Sequence, residues 1–382
     1  MIFVLAPDSF KESLTALEAC DAMESGIKKV CPNATCIKVP MADGGEGTMR
    51  TLIAATGGTI FPQTVTGPLG NKITGEYGIL GDGKTGIVEL ASASGLHLVP
   101  PEKRNPLLTT TYGTGELIKA ALAHGINKLI IGIGGSATND GGVGLLQALG
   151  VKFLNETGQE IGWGGGALAH IRHIDLAGLI TRNTELSMEV ACDVTNLLTG
   201  ERGASRVYGP QKGATETMIA ALDRGLEHYA AKIKEYLGKE VKEIPGAGAA
   251  GGTGAGLLAF LDANLVKGID LVITHSGLEE KIKSADYIFT GEGSMDRQTA
   301  YGKTISGIIA LAQKYNKPVI GFAGKIADHE ALYQLGITAL FGIIPSICTL
   351  EEALKSGRIN LTNSVMAAVK LIQVTPGNKN IK

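Results

Sequence analysis

Residues 128–144, KLIIGIGGSATNDGGVG, constrain the fold of this chain most. Leu129, Ile130 and Ile131 make a short apolar run, the pattern of a parallel strand buried on both faces. The run breaks at Gly132, Gly134 and Gly135 into Ser136, Thr138, Asn139 and Asp140, and a helical apolar pattern, LLQAL, begins after Gly144. A strand that feeds a glycine turn and then a helix leaves backbone N–H groups open at the helix start, a geometry that suits a phosphate. Asp140 adds an oxygen ligand for Mg²⁺ and Asn139 a polar orienter. The same letters also describe an ordinary turn between strand and helix, and on these residues alone both readings stand.

That pattern recurs at both ends of the chain. Ile2 to Ala6 reads as a strand, followed by the turn Pro7-Asp8-Ser9-Phe10-Lys11 and a helix from about Thr15 to Val30. Thr15 with Glu18 three residues on is a capping box. Cys36 to Pro40 is a second strand, ending in Met41-Ala42-Asp43-Gly44-Gly45-Glu46-Gly47-Thr48, and its helix stops at Gly57-Gly58. From Ala285 the pattern returns: Tyr287 to Thr290 ends in GEGSMDRQTAYGK, Pro318 to Ala323 ends in Gly324-Lys325, and Ala339 to Ile344 is a further strand before a last helix over about 350–373. Between them, residues 61–91 alternate strand-like runs with turns, as antiparallel hairpins do. Leu186 to Ala191 is a strand running into Cys192-Asp193, and a helix capped by Thr215 follows the turn Gly209-Pro210-Gln211-Lys212-Gly213.

Five parallel strands with helices between them, two before residue 60 and three after residue 285, give the flavodoxin-like count. The expected fold class is therefore α/β: a discontinuous flavodoxin-like domain, 1–60 and 285–382, with an inserted mixed α/β domain over 61–284. The active site is expected in the cleft between them. At 382 residues, two domains are also the natural expectation from length.

Composition removes several function classes. The chain has 54 glycines, clustered and without a period, and is 44% hydrophobic, so it reads as globular and loop-rich. A net charge of −2, with Lys and Arg dispersed, gives no basic stripe for nucleic acid. Five cysteines without a CxxC pair suggest neither a disulfide framework nor a zinc site. The N-terminus lacks a basic segment before its short apolar run, and no stretch of about 18 apolar residues spans a membrane. A cytoplasmic enzyme without a membrane partner is the expectation.

Two phosphate-binding patterns occur by letter and fail by context. Residues 78–85, GILGDGKT, match G-x-x-x-x-G-K-[ST], but Gly81-Asp82-Gly83-Lys84 falls between two strands, where that motif needs a following helix. Residues 246–256, GAGAAGGTGAG, contain G-x-G-x-x-G, yet no acid stands at a strand end about 20 residues on. The stretch reads instead as a glycine-rich helix entry that approaches a ligand.

Six segments in order, APDSFKESL, PMADGGEGT, IGIGGSATNDGG, ACDVTN with GPQKGA, PGAGAAGG and TGEGSMDRQ, resemble the type-1 glycerate kinases over almost the whole chain. The resemblance implies phosphorylation of D-glycerate by ATP with Mg²⁺, most often to 2-phosphoglycerate, on the same two-domain α/β architecture. Two departures stand out. The family often reads N-P-L where this chain has Asn196-Leu197-Leu198, and often has arginine at Ser294, a role Arg297 would then have to fill.

Such a kinase must hold a carboxylate, orient or deprotonate a hydroxyl, and offset the charge of the transferring phosphoryl group, mostly by positioning and electrostatics. The acids at strand ends, Asp8, Asp43, Asp193, Glu292 and Asp296, and the turn lysines Lys11, Lys212 and Lys303 are the candidates. Asp193 and Asp296 are assigned to Mg²⁺, Asp8 to the hydroxyl and Lys11 to phosphate. Asp43, Glu46 and Lys212 are assigned to glycerate, and Gly134, Gly135, Ser136, Asn139, Glu292 and Lys303 to the nucleotide. His97, His124 and His275 read as structural. A glycerate 3-kinase, a kinase of another small hydroxy acid, and a non-catalytic metabolite sensor are the alternatives, and the oligomeric state, a homodimer included, stays open.

Overall fold

A computed structural model describes residues 1–42, 44–45, 47–181, 185–296, 299 and 304–374. The first strands are β1 (Ile2–Leu5) and β2 (Thr35–Lys38). The middle of the chain supplies β3 (Thr59–Thr66), β4 (Lys72–Ile79), β5 (Thr85–Glu89), β6 (Lys128–Gly132), β7 (Lys152–Leu154), β8 (His173–Asp175), β9 (Ser187–Ala191) and β10 (Asn264–Val266). The last are β11 (Tyr287–Met295), β12 (Val319–Ile326) and β13 (Ala339–Gly342). They lie in two compact units, one of Met1–Asp43, Ala54–Thr56 and Val272–Lys382, the other of Gly44–Ile53 and Gly57–Leu271.

In the first unit the strands form one all-parallel sheet in the order β13-β12-β11-β1-β2. Numbered within the unit this is the 2-1-3-4-5 order of flavodoxin-like sheets, so the expected fold class holds. The apolar runs are buried because helices cover such sheets: Phe3, Phe289 and Phe322 are fully enclosed. Each ring of that size contributes about 1.5–3 kcal/mol by leaving water. Helix Ala16–Val30 starts at the expected capping box, Thr15 Oγ1 accepting from the Glu18 N–H. It crosses helix Gly357–Val374 at Gly26, where a built Cβ would lie 2.6 Å from the Thr362 carbonyl oxygen. The single C-terminal helix expected from the sequence is two, Leu350–Lys355 and Gly357–Val374. The break falls where Ser13 Oγ donates to the Leu354 carbonyl at 2.6 Å, and a Cβ on Gly357 would lie 2.1 Å from that same oxygen of Ser13.

The second unit holds a six-stranded sheet, β10-β9-β6-β5-β4-β3, and the small antiparallel pair β7–β8. β10, β9, β6 and β5 run parallel, while β5, β4 and β3 are antiparallel hairpins. The mixed character follows from the connections: short turns link β3, β4 and β5, and helix-bearing crossovers link the rest. Residues 80–84 are the β4–β5 turn, in which Asp82 Oδ1 accepts from the N–H groups of Lys84 and Thr85, both at 2.9 Å. The phosphate-loop letters there are thus turn chemistry. Among the described residues no helix is long and apolar enough to cross a membrane.

Candidate active site

β6 ends at Gly132, and the chain reaches the next helix, Val143–Ala148, through a loop with two different halves. The outer half, Gly134 and Gly135, is exposed. It is anchored by its carbonyls and flanks: the Leu96 N–H donates to Gly135 O at 2.8 Å, and the Ala137 N–H donates to Ser94 O at 2.9 Å. Gly135 has φ +70°, a left-handed conformation that glycine adopts without a steric cost. No described group accepts from the N–H of Gly134, Gly135 or Ser136. Successive open N–H groups around a left-handed residue form an anion-binding concavity.

The inner half turns inside. Thr138 and Asn139 are fully buried and Asp140 is 1% exposed. The Asp140 carboxylate accepts from Thr111 N and Thr111 Oγ1, both at 2.8 Å, and from the N–H groups of Gly142 at 3.2 Å and Gly144 at 3.4 Å. Thr111 Oγ1 also accepts from the Leu145 N–H at 2.9 Å. Burial pushes the Asp140 carboxyl above its ordinary range, and the Thr111 and glycine hydrogen bonds oppose that rise. This corrects the sequence reading. The open N–H groups expected at the helix start are taken by the protein's own carboxylate and hydroxyl, so the Asp140 carboxylate is engaged within the loop. Asn139 Nδ2 donates to Ser205 Oγ at 3.0 Å, which also turns this side chain away from the exposed half.

Lys212 joins the halves. It lies in the turn Pro210–Lys212, is 2% exposed, and donates from Nζ to Ser136 Oγ at 2.8 Å and to the Thr138 carbonyl at 2.7 Å. Burial pulls its ammonium down to about 7, with Asp140 acting the other way. Behind the inner half stands the glycine-rich helix entry. Gly251 has φ +68°, and a Cβ on it would lie 2.1 Å from the Thr138 carbonyl oxygen. The Gly141 N–H donates to the Gly251 carbonyl at 3.0 Å. The close approach expected toward a ligand is thus toward the chain's own backbone.

Two more acids stand at strand ends of this sheet. Asp193, two residues past β9, is exposed, and its Oδ1 accepts from the Gly268 N–H at 3.0 Å. Glu89 closes β5, is 9% exposed, and accepts at 2.9 Å from the Met49 N–H, near the start of helix Thr48–Thr56. Sequence reasoning passed over Glu89 because it sits in the apolar run IVEL rather than in a polar turn.

In the first unit Asp8 follows β1 and is half-buried. Thr304 Oγ1 donates to its Oδ2 at 2.7 Å and the Ser9 N–H to its Oδ1 at 2.6 Å. Lys11 is exposed in the turn closed by Phe10 and Leu14. Glu292, expected in a loop, lies inside β11, which pairs with β12 as far as Met295 and Ile326. The strand is longer than its apolar run because the ladder continues past the glycines. Thr299 ties two of the acids together: its Oγ1 donates to Glu292 Oε1 at 2.8 Å and accepts from the Asp296 N–H at 3.1 Å. Asp43, Glu46, Arg297 and Lys303 lie outside the described residues.

The Glycerate kinase family profile matches residues 3–373. The chain belongs to the glycerate kinase family. It is 53% identical over 362 residues to a protein of Escherichia coli K12 named glycerate 2-kinase, covering 94% of this chain and 95% of that one. A Bacillus subtilis protein named glycerate kinase is 54% identical, over 92% of this chain and 93% of its own length. A crystal structure described as glycerate kinase 2 of Salmonella typhimurium LT2 superposes with a TM-score of 0.90 at 48% identity, over 98% of both chains.

In this kinase the two departures sit in different settings. Asn196 is a structural hub: Nδ2 donates to Arg202 O at 3.0 Å, Tyr208 donates to Oδ1 at 2.7 Å, and its carbonyl accepts from Gly246 and Gly248. Leu197 therefore replaces a residue in a segment held by its neighbours. Ser294 is exposed on β11, in register with the exposed Lys325 of β12. The threonines that hold Asp140, Glu292 and Asp8, namely Thr111, Thr299 and Thr304, were missed. Only the run Thr109-Thr110-Thr111, each at most 1% exposed, carries a signal, since three successive β-branched hydroxyls before a helix are unusual.

Proposed function

We propose that this kinase transfers the γ-phosphoryl group of ATP to the 2-hydroxyl of D-glycerate, giving 2-phosphoglycerate. The observation that carries the reading is the 53% identity, over 94% of the chain, to the relative named glycerate 2-kinase. Local geometry supports it. The N–H groups of Gly134, Gly135 and Ser136 meet no described acceptor, and Gly134 and Gly135 are exposed, which suits phosphate oxygens. Asp8 is aimed by two hydrogen bonds, as a group that orients or deprotonates a hydroxyl needs to be, and such a base contributes roughly 10²–10⁴ in rate. Lys11, an exposed cation three residues on, is suited to a phosphate contact. Asp43 and Glu46 remain the proposed glycerate contacts, and Glu292 and Lys303 nucleotide contacts.

Mg²⁺ is the expected companion of ATP. It commonly takes one or two carboxylates and fills its octahedron with water and phosphate oxygens. Among the described residues no three acidic, histidine or cysteine side chains group as a metal site, which is compatible with that sparse coordination. Asp193, exposed beside Gly268, and Asp296 are the residues that would hold it. When bound, it would supply positive charge against the transferring phosphoryl group.

The test is turnover of D-glycerate with ATP and Mg²⁺, with the product read by ³¹P and ¹H NMR. Phosphate on the 2-oxygen is expected. Phosphate on the 3-oxygen keeps the class and overturns the assigned hydroxyl, while no turnover by folded protein overturns the substrate.

A further inference from the structure

Lys212 was read from the sequence as a direct glycerate contact, yet its ammonium is buried and donates to the loop after β6 at two points, Ser136 Oγ at 2.8 Å and the Thr138 carbonyl at 2.7 Å. Ser136 supplies one of the three N–H groups of that loop without a described acceptor and opens the buried stretch in which Thr138 lies. We propose that Lys212 is a positioning residue that holds the Gly134–Ser136 backbone in its phosphate-receiving form and places a positive charge behind it. The inference rests on the reading that this loop takes the phosphates of ATP.

The ammonium has a third donor while the described residues supply two acceptors, so it is not saturated by those bonds. Two charged groups flank its turn. Asp140 stands on the loop itself, and Arg104 packs its backbone on Gly213 and donates from Nη1 to the Gln211 carbonyl at 3.3 Å. Asp140 is committed to four donors of its own, so it offsets the charge of Lys212 without touching it. Burial lowers this ammonium to about 7, so its protonation changes within the neutral range. An anion on the outward face favours the protonated form, which links ATP affinity to pH.

The sign follows. Below pH 7 the lysine already carries its charge and ATP binds at full strength. Above pH 7 binding must also take up a proton, and the Kd for ATP rises by about tenfold from pH 6.5 to pH 8. Calorimetric titration of the full chain with ATP in the absence of glycerate measures this. Lys212→Arg keeps the charge at every pH, so whatever pH dependence its Kd shows over that range is that of ATP itself, and the roughly tenfold rise is expected as the excess of wild type over this variant. Lys212→Met is expected to weaken ATP at pH 6.5 by at least tenfold and to leave the KM for glycerate within about twofold. Gly134→Val is the control for the loop: among the described residues its Cβ meets nothing closer than the Gly45 Cα at 3.6 Å, so it should fold and weaken ATP.

Weakened binding in Gly134→Val with wild-type affinity in a folded Lys212→Met overturns the role of Lys212 alone. Unchanged binding in Gly134→Val overturns the loop reading, and this inference with it. If Lys212→Met does not fold, an equal pH dependence in wild type and Lys212→Arg overturns the proposal, and a steeper dependence in wild type supports it.

Discussion

Asp140 and Asp193 follow neighbouring parallel strands of one sheet, β6 and β9, and occupy opposite environments. Asp140 is 1% exposed and meets four donors, while Asp193 is exposed and accepts from the Gly268 N–H. A strand end in an α/β sheet is where ligands bind, but position alone does not decide which acid faces the ligand. The deciding feature is what the following loop does. After β6 the chain doubles inward under Gly251, and the acid goes with it. After β9 the chain stays at the surface, and Asp193 keeps contact with solvent.

The largest effect should come from the buried acid, and it should be structural. Asp140→Ala strands the Thr111 and Gly142 donors in the interior, and losing the partner of a buried hydrogen-bonded network costs about 3–5 kcal/mol. Chemical denaturation should show that loss. A variant that keeps wild-type stability and loses only turnover would place Asp140 in the chemistry and erase the contrast.

Asp193→Asn should do the reverse. Stability should stay within about 0.5 kcal/mol, as for exposed positions. Turnover should fall by more than about a hundredfold, roughly 2.7 kcal/mol of barrier. Steady-state kinetics beside a melting curve decides it, and turnover equal to wild type would remove Asp193 from the site.

Gly251→Ala sharpens the contrast from the packing side. Its Cβ would press to 2.1 Å from the Thr138 carbonyl, on a residue held at φ +68°. The expected loss is about 2 kcal/mol of stability, from overpacking and left-handed strain together. Unchanged melting would mean that the inner half of the loop yields easily, and that burial of Asp140 is not enforced from behind.

Much of the fold was legible because the signals were local and physically cheap to read. The capping box at Thr15 and Glu18, the helix stop at Gly57 and the turn chemistry around Asp82 each act within a few residues. The strand count gave the parallel sheet because apolar runs alternating with helices admit few other arrangements. The site was legible only as a set of residue types. Direction was not: nothing within residues 136–144 tells that Thr111, distant in sequence, will occupy the N–H groups of the helix start, or that Ser205 will take Asn139. Glu292 was misplaced for a related reason, since partner strand β12, and not the local sequence, carries β11 on to Met295.

The smallest effect concerns the charge that joins the two halves of the loop. Folding buries Lys212 and lowers its ammonium from the ordinary lysine range to about 7, so the unfolded chain holds a proton that the folded chain releases over the interval above 7. Stability from this group is therefore least below pH 7 and rises with pH until the unfolded lysine also titrates, near 10.5. The slope it adds is at most about 1.4 kcal/mol per pH unit. Denaturation of wild type and Lys212→Met at pH 7, 8 and 9 isolates it: the difference between them should shift in favour of wild type as pH rises. Parallel curves would show that Lys212 keeps its proton in the fold. The buried half of the loop would then carry an ammonium whose charge Asp140 offsets from nearby, and its contrast with the exposed half would be one of charge as well as burial.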